Sequence, residues 1–217
     1  MEKLYDIHSK VVFYGGDITT EEIQEQKMSV LFIEPNDRVL ELGGNIGRNS
    51  IVIASLLKDS DQLTVLESNP SNAEILKKNR DANDFEFEIM ACALSKRPLI
   101  QQGWNTRLHN EKEIIPQGWS IIDTIDLESL RKKMSYSFNV VVCDCEGCLY
   151  QILIDEPSIF DNVSKVILEN DFGAHQNPSE AENYVKNHLL SLGFHVVYRS
   201  PLLVYTPHPE FWQVWQR

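Results

Sequence analysis

The chain has 217 residues, 42% hydrophobic and 24% charged, and its 20 Lys and Arg against 32 Asp and Glu leave a formal charge of −12. Those proportions fit an ordinary globular domain with one sizeable core; they exclude a disordered chain, a fibrous repeat and a small disulfide scaffold. The acid excess argues against holding nucleic acid by neutralising phosphates and against docking on an anionic membrane surface.

In chain order, Thr19 and Thr20 before Glu21-Glu22 form a capping signal for a helix running to about Ile33. A turn at Pro35-Asn36-Asp37 leads into a buried strand, Arg38 to Leu42, then a glycine-rich bend and a helix from Ser50 to Leu57. Leu63 to Glu67 reads as a second strand, Asn72 to Arg80 as a crossover helix and Phe85 to Met90 as a third strand. Residues 96–118 lose periodicity and read as an irregular insertion or a pair of edge strands. Ser120 to Ile125 follows as a short strand, with Asp126 capping a helix over Leu127 to Lys133. Asn139 to Cys143 and Val163 to Leu168 are the next strands. A helix over Ser179 to Leu192 stops at Gly193, before a strand at His195 to Tyr198 with which Phe211 to Gln216 pairs antiparallel. Alternating strands and helices with short links predict a mostly parallel sheet covered on both faces. The expectation is one domain over 1–217, with residues 1–35 as a helical cover and 96–118 as an acceptor-side insertion.

No apolar run approaches the roughly 18 residues of a membrane span, and the first six residues, Met1 to Asp6, lack the pattern of a signal peptide. The expectation is a cytoplasmic chain with reduced cysteines. Cys143, Cys145 and Cys148 crowd together at a spacing that forms no disulfide framework. Cys143 and Cys145 read as small core residues, while a metal reading would need a fourth ligand such as Cys92.

Open parallel sheets bind ligands beyond the carboxyl ends of their strands, which singles out Glu41, Glu67, Met90, Asp144 and Glu169. In Glu41-Leu42-Gly43-Gly44-Asn45-Ile46-Gly47 the glycine spacing departs from the G-x-G-x-x-G of dinucleotide sites. An acid two residues before the first glycine would also repel a diphosphate. S-adenosyl-L-methionine carries an ammonium and a sulfonium and no phosphate, so the loop favours a methyl donor. Glu67, ending the second strand, is placed to accept hydrogen bonds from ribose hydroxyls.

Three segments resemble motifs of the FkbM-type S-adenosylmethionine-dependent methyltransferases. They are Arg38 to Ser50, similar to D-V-G-A-N-I-G-x-x-S; Leu66-Glu67-Ser68-Asn69-Pro70, similar to E-P-N-P; and Val142 to Cys148, similar to K-I-D-V-E-G-A-E. A weaker fourth, Thr124 to Leu130, resembles T-L-D-D-L. The resemblance spans roughly Asp37 to Asp171 and departs from the pattern at Glu41, Gly44, Ser68, Val142 and Leu149. It implies a Rossmann-like class I methyltransferase fold, α/β, with seven strands and the last antiparallel. It also implies O-methylation, often of sugars or glycosylated small molecules. Cofactor binding is expected at Glu41, Gly43, Gly44, Asn45, Gly47, Glu67, Ser68 and Asn69, with Cys92 and Ala93 beside the adenine.

A hydroxyl nucleophile must lose a proton, which calls for a base or a metal. Asp144 and His175 are the expected catalytic residues, and Asp144, Glu169 and Asp171 an oxygen-rich set for Mg²⁺ or Mn²⁺. Trp104, Trp119 and Tyr14 are aromatics able to stack on a sugar. The expected partner is a sugar or glycan acceptor, with no nucleic acid and no membrane insertion, and the chain suits one domain of a larger glycan-modifying protein. The alternatives are an RNA or protein acceptor, a binding module without turnover, and a nicotinamide oxidoreductase.

Overall fold

The computed structural model of the chain describes residues 1–110, 112–173, 175–200 and 210–217. Two N-terminal helices, α1 (Glu2–Lys10) and α2 (Ile23–Phe32), precede β1 (Val39–Leu42), α3 (Arg48–Leu56), β2 (Leu63–Leu66), α4 (Pro70–Ala82) and β3 (Glu88–Met90). Short strands follow: β4 (Ala93–Leu94), β5 (Leu99–Gln102), β6 (Asn105–Leu108), β7 (Ser120–Ile122) and β8 (Thr124–Ile125). The chain continues through α5 (Leu127–Lys133), β9 (Val140–Cys143), α6 (Cys148–Asp155), β10 (Lys165–Glu169), α7 (Pro178–Ser191), β11 (His195–Arg199) and β12 (Trp212–Gln216).

Seven strands form the main sheet in the order β11-β12-β10-β9-β1-β2-β3. β12 runs antiparallel to both β10 and β11, and the pairings from β10 to β3 are all parallel. The expected Rossmann-like class I methyltransferase sheet is therefore present. Alternation along each strand divides the core. Leu40, Leu42, Val141 and Cys143 face the side covered by α5, α6 and α7; Val39, Val140, Val142 and Ile167 face α1 to α4.

Residues 96–118 are expected to be irregular or to pair at an edge. β5 and β6 do pair antiparallel, and with β7 they make a separate three-stranded sheet rather than an edge of the main one. The threonine capping signal is not used either. Asp17 takes the Thr19 N–H (2.8 Å) and hydroxyl (2.6 Å), and α2 starts from Glu22 in a left-handed conformation, φ 54°. The third strand is shorter than expected, because the Phe85 N–H turns back to the Arg80 carbonyl and the Glu86 N–H to the Ser60 hydroxyl. α6 lies between the strands β9 and β10. α6 forms there because Leu149, Ile152 and Leu153, at helical spacing, bury together against the sheet.

Candidate functional site

A cleft of about 1530 Å³ opens at the carboxyl ends of β1, β2, β9 and β10. The turns at its floor are stapled to neighbouring strands. The Gly43 and Gly44 N–H groups donate to the Leu66 carbonyl (2.9 and 3.2 Å), Glu67 N–H to Met90 (3.0 Å) and Asp144 N–H to Leu42 (3.0 Å). Glu67 joins two loops: its carboxylate accepts the N–H of Asn45 and that of Asn69, each at 2.7 Å. Burial raises its pKa, with these two N–H groups pulling the other way. Asn45, left-handed at φ 47°, donates its amide to Glu22 (2.9 Å) and accepts from Asn72 (3.2 Å). Asn69 caps α4 through the Ser71 N–H, and the Ser68 hydroxyl accepts from Gln101 of β5 at 2.9 Å, tying the small sheet to the loop after β2.

Of the residues expected from sequence, Gly43, Asn45, Glu67, Ser68, Asn69, Cys92, Ala93, Asp144, Glu169 and His175 line this cleft. Glu41, Gly44, Gly47 and Asp171 do not. Glu41 shares its face of β1 with Val39 and lies under α3, only 2% exposed, where Asn49 (3.1 Å) and Ser50 (2.5 Å) donate to it. Burial pushes it up to about 8, so it is a neutral packing acid and not a partner for an ammonium. Gly44 and Gly47 serve packing: a Cβ on Gly44 would run into Val65 of β2, and one on Gly47 into Leu76 of α4. Trp104 lines the cleft and is 60% exposed, whereas Trp119 lies under Arg107 and Tyr14 under Lys78.

The expected carboxylate set is corrected in one member. Glu25 of α2, not Asp171, joins Asp144 and Glu169, with oxygens within 4.8 Å of one another. Asp171 turns to Glu146 and to the Gly173 N–H (2.9 Å). Glu25 also accepts the Trp212 indole N–H at 2.6 Å, and Trp212 stands opposite Glu169 in the sheet register. Burial, then the neighbouring Asp144, pushes Glu169 up to about 12, so Glu169 keeps a proton and Asp144 accepts it. Burial brings Glu22 and Glu25 to about 7. This all-oxygen set has the chemistry a hard divalent cation takes, but the retained proton already relieves the repulsion among its members. His175 Nε2 lies 2.8 Å from the Gly147 carbonyl, so it is the protonated ring nitrogen, and the ring packs edge-on to Tyr150.

Sequence reasoning missed Glu22, Glu25, Glu146 and Arg48, all in the cleft wall. A signal existed for Glu25, which falls on the same helical face as buried Met28 and Ser29. The expectation of reduced cysteines is also corrected, because Cys145 and Cys148 form a disulfide. The sequence spacing hides it: two consecutive left-handed residues, Glu146 (φ 54°) and Gly147 (φ 75°), bring the Cα atoms to 5.4 Å. Cys143 is buried as expected, while Cys145 borders the cleft.

These raised carboxyls make stability fall with pH. Glu41 is protonated in the folded chain and ionised in the unfolded one between 4.5 and about 8. Its contribution is full below that window and lost as pH rises through it, at about 1.4 kcal/mol per unit. We expect the melting temperature to drop steadily from pH 5 to pH 8, and Glu41→Gln to reduce the slope by about one proton. An unaltered slope in that variant would show that Glu41 is ionised in the fold.

No family model matches the chain, and no curated protein matches it in sequence; the FkbM resemblance therefore goes no further than its motifs. Solved structures share the fold. One, assigned as an rRNA methylase from Clostridium thermocellum, is 10% identical over 89% of this chain and 95% of its own, with TM-score 0.54. Streptococcus pneumoniae Sp1610, assigned as a tRNA (m1A22) methyltransferase and solved with S-adenosyl-L-methionine, is 15% identical over 89% and 72%, with TM-score 0.52. An O-methyltransferase from Bacillus cereus, in complex with SAH, is 10% identical over 99% and 89%, with TM-score 0.51. The expectation of a sugar acceptor and no nucleic acid is corrected by these likenesses. Proteins assigned to tRNA and rRNA carry this fold, and a negative net charge does not exclude RNA because it says nothing about local contacts. No helix among the described residues is long and apolar enough to cross a membrane.

Proposed function

We propose that the chain is an S-adenosylmethionine-dependent methyltransferase. The observation that carries this reading is Glu67, a buried strand-end carboxylate held by two loop N–H groups at the rim of an acid-lined cleft. Its remaining lone pairs are the acceptors a ribose diol requires. Cys92 and Ala93 offer the adenine an apolar wall, and Glu22, Glu25 and Asp144 suit the ammonium and sulfonium. The donor supplies an activated methyl group, and the chain's task is to orient a nucleophile in line with it.

The finer proposal is an oxygen nucleophile, with Asp144 taking its proton while Glu169 holds the adjacent one, and His175 positioning the wall through Gly147. Should Mg²⁺ or Mn²⁺ bind, Glu25, Asp144 and Glu169 would hold it, and the ion would supply positive charge that favours loss of the acceptor's proton. For the acceptor, tRNA and rRNA come first, on the fold likenesses alone. The nearby cations Lys96, Arg97 and Arg107 are each paired with an acid, so RNA held here would depend only weakly on salt.

Calorimetry with S-adenosylhomocysteine is expected to give saturable binding in the micromolar range. Radiolabelled methyl transfer into tRNA and rRNA then reads the acceptor, with and without chelator. Absence of heat at high micromolar ligand, with the fold intact by circular dichroism, removes the methyl-donor reading.

A further inference from the structure

We propose that Cys145 and Cys148 form a thiol–disulfide exchange site, open to small dithiols, whose redox state sets the position of Glu146 in the cleft wall. The exchange site stands independently of the methyl-transfer reading, and only its effect on cofactor affinity rests on that reading.

The bridge joins the residue after Asp144 to the first residue of α6, and both sulfur-bearing residues are half-buried at the cleft. The four-residue ring it closes contains Glu146 and Gly147, both left-handed. The left-handed region is unfavourable for an L residue such as glutamate, and the cross-link is one of the ties that hold Glu146 there. The ring is also latched from outside. The Gly147 carbonyl accepts from His175, and a Cβ on Gly147 would lie 2.5 Å from the Asp171 carbonyl oxygen and 2.8 Å from His175 Nε2. Glu146 meets the Asp171 carboxyl across the same contact. Opening the bridge therefore acts on two segments, the turn after β9 and the turn after β10.

The chemistry balances with a dithiol as reductant. Its thiolate attacks Cys145 Sγ; a sulfur–sulfur bond to the reductant forms as the Cys145–Cys148 bond breaks. The electron pair leaves on Cys148, at the N-terminus of α6, where the helix dipole favours a thiolate. The second thiol of the reductant then displaces Cys145, and the reductant departs as its cyclic disulfide. Two electrons and two protons pass to the protein. Cys143 Sγ lies 3.3 Å from Cys145 Sγ, but it is buried and closed to the external dithiol, so the incoming sulfur reaches the half-buried bridge instead.

The test holds the whole chain in dithiothreitol buffers of graded oxidation, quenches it with an alkylating reagent, and locates the tags by mass spectrometry. The expected result is that reduction adds tags at Cys145 and Cys148 together. Amide exchange over 144–150, 171–173 and 175–177 should rise about tenfold on reduction, and a Cys145→Ser/Cys148→Ser variant should show the fast exchange in every buffer. Affinity for S-adenosylhomocysteine should fall several-fold on reduction. Tags that do not depend on the buffer, or equal exchange in both states, overturn the proposal. So does stoichiometric zinc uptake that blocks reoxidation, which would make Cys143, Cys145 and Cys148 a metal site. If S-adenosylhomocysteine binds neither state, the methyl-donor reading fails while tags and exchange still decide the redox site.

Discussion

Gly43→Ala is expected to be among the most damaging single substitutions in the chain. The added Cβ would lie 2.8 Å from the Asp144 carbonyl carbon and closer still to its oxygen, and Gly43 has φ 90°. Neither obstacle can be relieved locally. The obstructing atoms are backbone at the end of β9, and that backbone is fixed by the Asp144 N–H bond to Leu42 and by the parallel pairing of β1 with β9. Separating the strand ends would break the Asp144 bond to Leu42 and drive β1 onto β2 or β9 onto β10, the neighbours on their far sides. Steric overlap combined with left-handed strain places the loss at about 3–5 kcal/mol, or a fall in melting temperature on the order of 10 °C. Gly103→Ala is the control: φ is 57°, but nothing lies within 4 Å of the added carbon. Only the strain of about 1–2 kcal/mol remains there. Similar melting temperatures for the two variants would mean that the approach of Gly43 to Asp144 is not part of the folded state.

The sheet was legible because its signals are local. Val39–Leu42, Leu63–Leu66 and Val140–Cys143 are short apolar or β-branched runs, and a strand buried on both faces has to be one. The antiparallel β12 was legible from the aromatic and polar alternation of Phe211 to Gln216. What sequence could not supply was direction. Glu41 and Glu67 both stand in acidic strand-end segments, yet one points under α3 to Ser50 and the other into the loops of the cleft. The difference follows from a register position: Glu41 is the third residue of its strand, on the face of Val39, whereas Glu67 follows the last residue of β2.

The carboxylate cluster was half legible for a similar reason. Asp144 and Glu169 end adjacent parallel strands, so topology alone brings them together. Whether Asp171 or Glu25 completes the group depends on how α2 packs over the end of β10, a contact between residues far apart in sequence. The disulfide failed for the opposite reason, being too local. It depends on two backbone dihedrals within one turn, and a glutamate in the left-handed region has no sequence signature.

Glu67→Gln should weaken S-adenosylhomocysteine binding about 10- to 100-fold while leaving the fold in place. The glutamine keeps the shape of the side chain but replaces one acceptor oxygen with an NH₂ group. One of the two N–H groups now held at 2.7 Å, that of Asn45 or of Asn69, would then face a donor. Losing a charge-assisted bond and leaving a buried N–H unpaired costs roughly 1.5–3 kcal/mol. Little of that cost falls on the core, because Glu67 lies beyond the end of β2 and the strand pairing does not use its side chain. It falls on the relation between the Gly43–Gly47 turn and the Glu67–Asn69 turn, the two walls between which the nucleoside would be clasped, and on the acceptor for the ribose diol. Glu41→Gln separates this effect from a general loss of acid, since Glu41 lies outside the cleft and its replacement should leave affinity unchanged. Binding by Glu67→Gln within about twofold of the parent would mean that Glu67 holds the loops together and takes no part in the nucleoside site.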